Sequence, residues 1–348
     1  MLSPALALAL AALSSHALPD SNRIDPSASV RIDSSRHELV VTAGPFNLPN
    51  MPPSPDGIMD HGAAHDTPVH RFSWPVDGWL RGFRIEVLDA RGNPLPRSLM
   101  HHLVILNYDR RQLVYSAAER LFGAGTETED ASVPRSIGVP LKANTNLGMY
   151  VAWHNESGKE IVGVTLRLTM QWMPKSQNPR PIDVLPMYMD VNLTVGGTNT
   201  FDVPPGRSTK SYEFTLPVSG RLLGVSGHIH NYGEVVRLED VETGKVLTKV
   251  EPTLDDNGNV VKMGRELFGV RGNGLRLRAG HRYRVVAEYN NTTGQTLHNG
   301  GMAHMVGLFA PDDVAKWPQV DPRDPIYEKD IMSLEMRGTS GMGEMHHH

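Results

Sequence analysis

Residues 163–173 read GVTLRLTMQWM. Val164, Leu166, Leu168, Met170 and Trp172 recur at every second position, and Thr165, Arg167, Thr169 and Gln171 fill the places between. A period of two marks a strand with one face buried and one face wet. Segments of the same kind lie on either side. HELVVTAG, RGFRIEVLDARGN, HHLVILNYD, RQLVYSA and LGMYVAWHN come before it, bounded by Gly, Pro, Asn or Asp. The polar, proline-rich PKSQNPRPID (174–183) has the composition of a domain boundary. A second series follows: MYMDVNLTVG, SYEFTLPV, GRLLGVSGHIHNYGEVVRLED, GKVLTKVEP, GLRLRAGHRYRVVAEYNN and MAHMVGLFAP. VETGKV and DDNGNV read as hairpin turns, and NNTTG as a loop. Helical periodicity is scarce. The expected fold is all-β, two tandem antiparallel, jelly-roll-like β-sandwiches over residues 37–176 and 184–315.

Composition agrees with that class. The 348 residues are 39% hydrophobic and 21% charged, enough to bury a real core. The 33 glycines and 26 prolines suit many short strands joined by turns. A net charge of -4 argues against nucleic acid as a partner. With no cysteine, disulfides and thiolate metal sites are excluded.

Residues 1–17 read as a signal peptide. The apolar run Pro4–Leu13 is too short to span a bilayer, and Ser15-His16-Ala17 offers small residues for cleavage. The start lacks the usual Lys or Arg. The expectation is a secreted or periplasmic protein with no membrane span. Residues 18–36 read as a linker and 316–348 as a tail. That tail ends in three histidines near Met332, Met336, Met342 and Met345, side chains that soft metals favour.

The histidines carry the chemistry. In GVSGHIHNYG, His228 and His230 are two residues apart, so on a strand both imidazoles project one way and can reach one metal ion. Alone, the pair could equally be polar residues on an edge strand. His101 and His102 in MHHLVILNYD are adjacent, and a flat strand sends them to opposite faces. They can share a metal only at a strand end or a bulge, a two-nitrogen geometry better suited to Cu(I) than to Zn(II). His154 ends the strand MYVAWHN. NGGMAHMVGLF holds Met302 and His304 on one face of a strand and Met305 on the other. The loop-like GIMDHGAAHDTPVH holds Met59, His61, His65 and His70, and reads as a surface loop. His281 and His298 read as non-ligands.

The order of these residues resembles the copper type II, ascorbate-dependent monooxygenases, the family of peptidylglycine α-hydroxylating monooxygenase and dopamine β-monooxygenase. The resemblance covers most of residues 70–312. It is strongest in MHHLVILN, YVAWHNESGKEIVGVTLRLT, HIHNYGEVV and AGHRYRVVAEYNNTTGQTLHNGGMAHMVGLF. It implies two copper ions per chain. His101, His102 and His154 would hold one. His228, His230 and Met302 would hold the other, with Met305 as the fallback thioether. The second site would bind O2 and hydroxylate an activated C–H bond of a small-molecule substrate. The first would store an electron and deliver it across the interdomain cleft, and ascorbate or another reductant would reload both.

Two departures qualify the resemblance. Its animal members carry disulfides and this chain has no Cys. Its peptide-amidating members carry an Arg, an Asn and a Tyr that hold the substrate carboxylate, where this chain has Ser226, His304 and Val306. Peptide amidation is therefore not expected, and His304 and Ser226 become candidate substrate contacts. A rival reading is a non-catalytic copper storage or delivery protein using the same ligands. A third is an adhesion module with incidental histidines.

Overall fold

The computed structural model describes residues 28–51, 65–268 and 273–337. The expected signal peptide, the loop around Met59 and His61, and the terminal Met342, Met345 and three histidines lie outside the described residues.

The first unit contains β1 (Ala28–Asp33), β2 (Glu38–Leu48), β3 (His65–Asp66), β4 (His70–Trp74), β5 (Gly78–Leu88), β6 (Met100–Arg111), β7 (Ala118–Gly125), β8 (Ala131–Ser132), β9 (Ile137–Leu141), β10 (Thr145–Trp153), β11 (Ile161–Pro174) and β12 (Ile182–Asp183). One sheet runs β1-β2-β11-β5-β9-β12 with β8 on β5; the other runs β3-β10-β6-β7 with β4 on β10. The second unit contains β13 (Leu185–Asp190), β14 (Phe201–Val203), β15 (Gly206–Thr215), β16 (Gly220–Ile229), β17 (Gly233–Asp240), β18 (Lys245–Val250), β19 (Pro252–Leu254), β20 (Val260–Met263), β21 (Glu266–Leu267), β22 (Leu275–Leu277), β23 (Arg282–Asn291), β24 (Leu297–Gly301) and β25 (Ala303–Pro311). Its main sheets are β13-β25-β16-β21, with β22 on β16, and β15-β23-β17-β18. Pairing is antiparallel apart from β9 with β12. The protein is all-β, with two sandwiches in tandem.

The alternation that opened the sequence reading is the core of the first sandwich. Val164, Leu166, Leu168 and Met170 of β11 are fully buried, and Trp172 nearly so. Each such side chain stabilises the fold by about 1.5–3 kcal/mol relative to exposure. Because β11 sits between β2 and β5, a Leu168→Ala change would leave a cavity at the centre of the sheet.

Three segments differ from their sequence reading. The linker assigned to 18–36 contains β1, whose residues pair with β2 from Ala28↔Ala43 to Asp33↔Glu38. RQLVYSA is not a strand: beyond Arg111 it bends, and its alternation reflects the inward turn of Leu113, Tyr115 and Ala117. The tail holds α1 (Pro325–Glu335), with Pro325 at its start and the Asp324 side chain accepting from the Ile326 N–H.

That helix folds back onto the first sandwich. Tyr327 and Leu334 pack with Leu106 and Ala118. Asp330 accepts from both Nη1 and Nη2 of Arg120, each at 2.7 Å. Trp317 Nε1 donates to the Arg111 carbonyl at 2.9 Å. The chain leaving the second sandwich therefore ties it to the first. Among the described residues no helix is long and apolar enough to cross a membrane.

Candidate metal centre

The start of β6 meets the end of β10 at an irregularity. Ala152 pairs with His102 and Trp153 pairs with Met100, so His101 is the extra residue of a bulge. An extra residue bends the strand and re-aims its side chain. The adjacent imidazoles, which a flat strand would separate, thus lie with ring centroids 4.1 Å apart. His154 follows β10; its N–H donates to the Leu99 carbonyl at 2.9 Å, which sets it beside the same strand start. Its ring lies 6.2 Å from that of His101, and its Nε2 is 2.8 Å from Glu156 Oε1.

The second sandwich contributes a grid of polar residues on one sheet face. In the β16–β25 ladder, His228 is opposite His304 and Ile229 opposite Ala303. Asp190 of β13 is opposite His304 on its other side. The next step pairs His230 with Met302, whose carbonyl accepts from the His230 N–H at 3.0 Å and from the Tyr289 hydroxyl at 2.8 Å. Directly opposed residues share a face. Met302 therefore lies on the imidazole face. Met305, opposite Met189 and Gly227, is fully buried in the core on the other face. Of the two methionines, only Met302 lies on the imidazole face.

The two histidine groups meet. The rings of His102 and His228 are 5.3 Å apart, and those of His228 and His230 are 5.0 Å apart. His102, His228 and His230 each offer a nitrogen, all within 4.8 Å of one another. The expectation of two centres separated by a cleft is not what the fold presents. The groups are contiguous because the segment after β7 reaches across. Glu127 Oε1 lies 2.8 Å from His228 Nδ1, and Glu129 pairs with Lys262 Nζ at 3.0 Å.

Glu127 had no signal in the sequence beyond an acidic turn, TETED. Burial pushes its carboxyl up, but the positive charge of His228 and the hydrogen bond to it win and hold it at about 2. Gly125 makes room for it: a Cβ there would collide with the Glu127 carboxylate. Glu127 occupies Nδ1 of His228, so the nitrogen that would face a metal is Nε2, a buried atom with no hydrogen-bond partner among the described residues. His230 Nδ1 lies 3.2 Å from the Gly300 carbonyl, a contact that orients its ring.

His304 sits beside His228, rings 5.3 Å apart, and beside Tyr188 at 4.8 Å. Burial, reinforced by the charge of His228, pushes its imidazole down to about 3. It is a neutral ring whose buried Nδ1 has no hydrogen-bond partner among the described residues. Ser226 shares this face, but its hydroxyl donates to the Gly264 carbonyl at 3.2 Å. Sequence reasoning also missed the Tyr188–Asp190 pair, where the Tyr188 hydroxyl donates to Asp190 Oδ2 at 2.5 Å. Burial raises the Asp190 carboxyl to about 6 against the pull of its hydrogen bonds.

The other histidines lie elsewhere. The end of GIMDHGAAHDTPVH, read as a surface loop, is instead strand: His65 begins β3, and His70 is buried in β4 near Phe46 because its strand pairs with β10. His298 pairs with Asp202 at 3.0 Å and His281 with Glu242 at 3.7 Å, both on the surface.

The donor set suits a soft or borderline transition metal. It offers several imidazoles, a thioether on the same face, and a carboxylate behind its ligand rather than at the metal.

No protein-family profile and no curated protein matches this chain. Among solved structures, the major capsid protein of bacteriophage PM2 is similar at a TM-score of 0.33 and 10% identity, covering 77% of this chain and 98% of its own. The mavirus major capsid protein is similar at a TM-score of 0.26 and 10% identity, covering 90% and 94%.

Proposed function

We propose that this chain is a copper-dependent monooxygenase that hydroxylates an activated C–H bond of a small molecule, with O2 and a reductant such as ascorbate. One observation carries the reading: His101, His102 and His154 of one sandwich meet His228 and His230 of the other, with Met302 on the same face. Copper held by these residues would supply O2 activation and one-electron transfer.

The chain's own residues do the rest. Glu127 and the Gly300 carbonyl orient His228 and His230. His304 stays neutral at working pH, so it can hydrogen-bond a substrate without adding charge beside the metal. The Tyr188 ring packs beside it at 4.8 Å. Ser226, His304 and Val306 stand where amidating relatives hold a carboxylate, so a peptidylglycine substrate is not favoured.

The close approach of His102 to His228 also suits a protein that only holds copper. Turnover separates the two readings. Copper-loaded protein should consume O2 when given ascorbate, and Met302→Ala should lower that rate by at least about tenfold, as expected when a ligand of the reacting metal is lost. Tight copper binding without reductant-driven O2 consumption across a panel of small C–H substrates would favour storage or delivery.

A further inference from the structure

We propose that His102, His228 and His230 form a single site for monovalent copper, shared between the two sandwiches. The proposal rests on the reading that these imidazoles bind copper, and differs from it in assigning His102 to the second sandwich's ion.

Three nitrogens within 4.8 Å of one another need to draw in by only about 1 Å to meet a common ion, since metal–imidazole bonds are about 2 Å long. Two of the three rings are already oriented by a partner on the other nitrogen. His228 is held by Glu127 and His230 by the Gly300 carbonyl. Such outer partners fix ring orientation and tautomer. The orienting carboxylate and His102 come from one hairpin: His102 of β6 pairs with Gly125 at the end of β7, and Glu127 follows two residues later. One edge of the first sandwich thus presents both a ligand and the residue that aims a ligand of the second.

Donor softness selects the oxidation state. Imidazole donors in a buried setting suit a singly charged, soft ion. Soft Cu(I) accepts three nitrogens, with the Met302 thioether on the same face as a further soft donor.

The test uses full-length protein with His346, His347 and His348 replaced by alanine, so that the terminal run does not compete. One equivalent of Cu(I) is added without oxygen, and X-ray absorption reports its neighbours. Three imidazole nitrogens are expected. Competition with a Cu(I) chelator should then show His102→Gln weakening the first equivalent by about 100-fold or more, as much as His228→Gln, with His298→Gln unchanged. Two imidazole nitrogens, with His102→Gln binding as tightly as the parent, would overturn the shared site and leave the copper reading intact. A parent protein that yields all its copper to a weak chelator would overturn both. His101, His102 and His154 would also give three nitrogens, so the spectrum is repeated on His154→Gln: the count stays at three if the site is shared and falls to two if it is not, a readout that does not depend on a folded His102 variant.

Discussion

Nδ1 of His228 lies 2.8 Å from Oε1 of Glu127, and the two residues belong to different sandwiches. Both are largely buried, with side chains 12% and 6% exposed. The contact aims the imidazole and also joins the two units at the point where their histidines meet. Glu127→Gln keeps the shape and removes the charge. It should weaken Cu(I) binding about 10- to 100-fold, the usual cost of losing an outer partner of a ligating histidine. Chelator competition measures this, and an unchanged affinity would mean that Glu127 does not orient the ligand.

Met302 and Met305 should separate cleanly. Met305 is fully buried, so Met305→Ala should cost about 2–5 kcal/mol in urea unfolding while leaving copper affinity alone. Met302 is half-buried on the imidazole face, so Met302→Ala should cost less stability and more Cu(I) affinity. The reverse pattern would reinstate Met305 as the thioether.

The C-terminal helix should behave as part of the fold. Asp330 is buried and bonded twice to Arg120. Asp330→Ala strands the guanidinium, and breaking such a pair costs about 3–5 kcal/mol. Denaturant unfolding checks this. A loss under about 1 kcal/mol, the range of an exposed ion pair, would show that α1 is not a structural tie between the sandwiches.

Asp190 sets a pH dependence in the metal-free protein. Its carboxyl is raised from 3.8 to about 6, so between those values the folded state binds more protons than the unfolded chain. Its contribution therefore favours folding below about pH 4 and is lost as pH rises through about 6. At about 1.4 kcal/mol per unit, the loss is about 3 kcal/mol at most. Asp190→Asn should flatten that part of the stability curve. A wild-type curve and a variant curve of equal slope between pH 4 and 6 would contradict the assignment.

Periodicity carried the strands whose alternation faces a core, and β11 is the clearest. It misled at RQLVYSA, where Leu113, Tyr115 and Ala117 turn inward from a bend and Tyr115 bonds to the backbone of Asp190. The requirement that His101 and His102 share a site only at an irregularity was legible, and the register shift at Ala152/Trp153 supplies it. β1 does alternate, Ala28, Val30 and Ile32 against Ser29, Arg31 and Asp33, but the run is short and Val30 and Ile32 stay exposed, as befits an edge strand without a core face. The helix in the tail has a readable start in Asp324-Pro325, but exposed Ile326 and Met332 blur its apolar stripe. Glu127 could not have been found: its role comes from the second sandwich docking on a loop, a contact with no local pattern. The closeness of the two histidine groups escaped for the same reason.

The account turns on copper lying where the sandwiches meet. Anomalous diffraction at the copper edge, from crystals of protein loaded with Cu(I), locates the ion directly. The account predicts a peak about 2 Å from ring nitrogens of His102, His228 and His230. Copper found only at surface histidines such as His281 and His298, with none at His228, would contradict it.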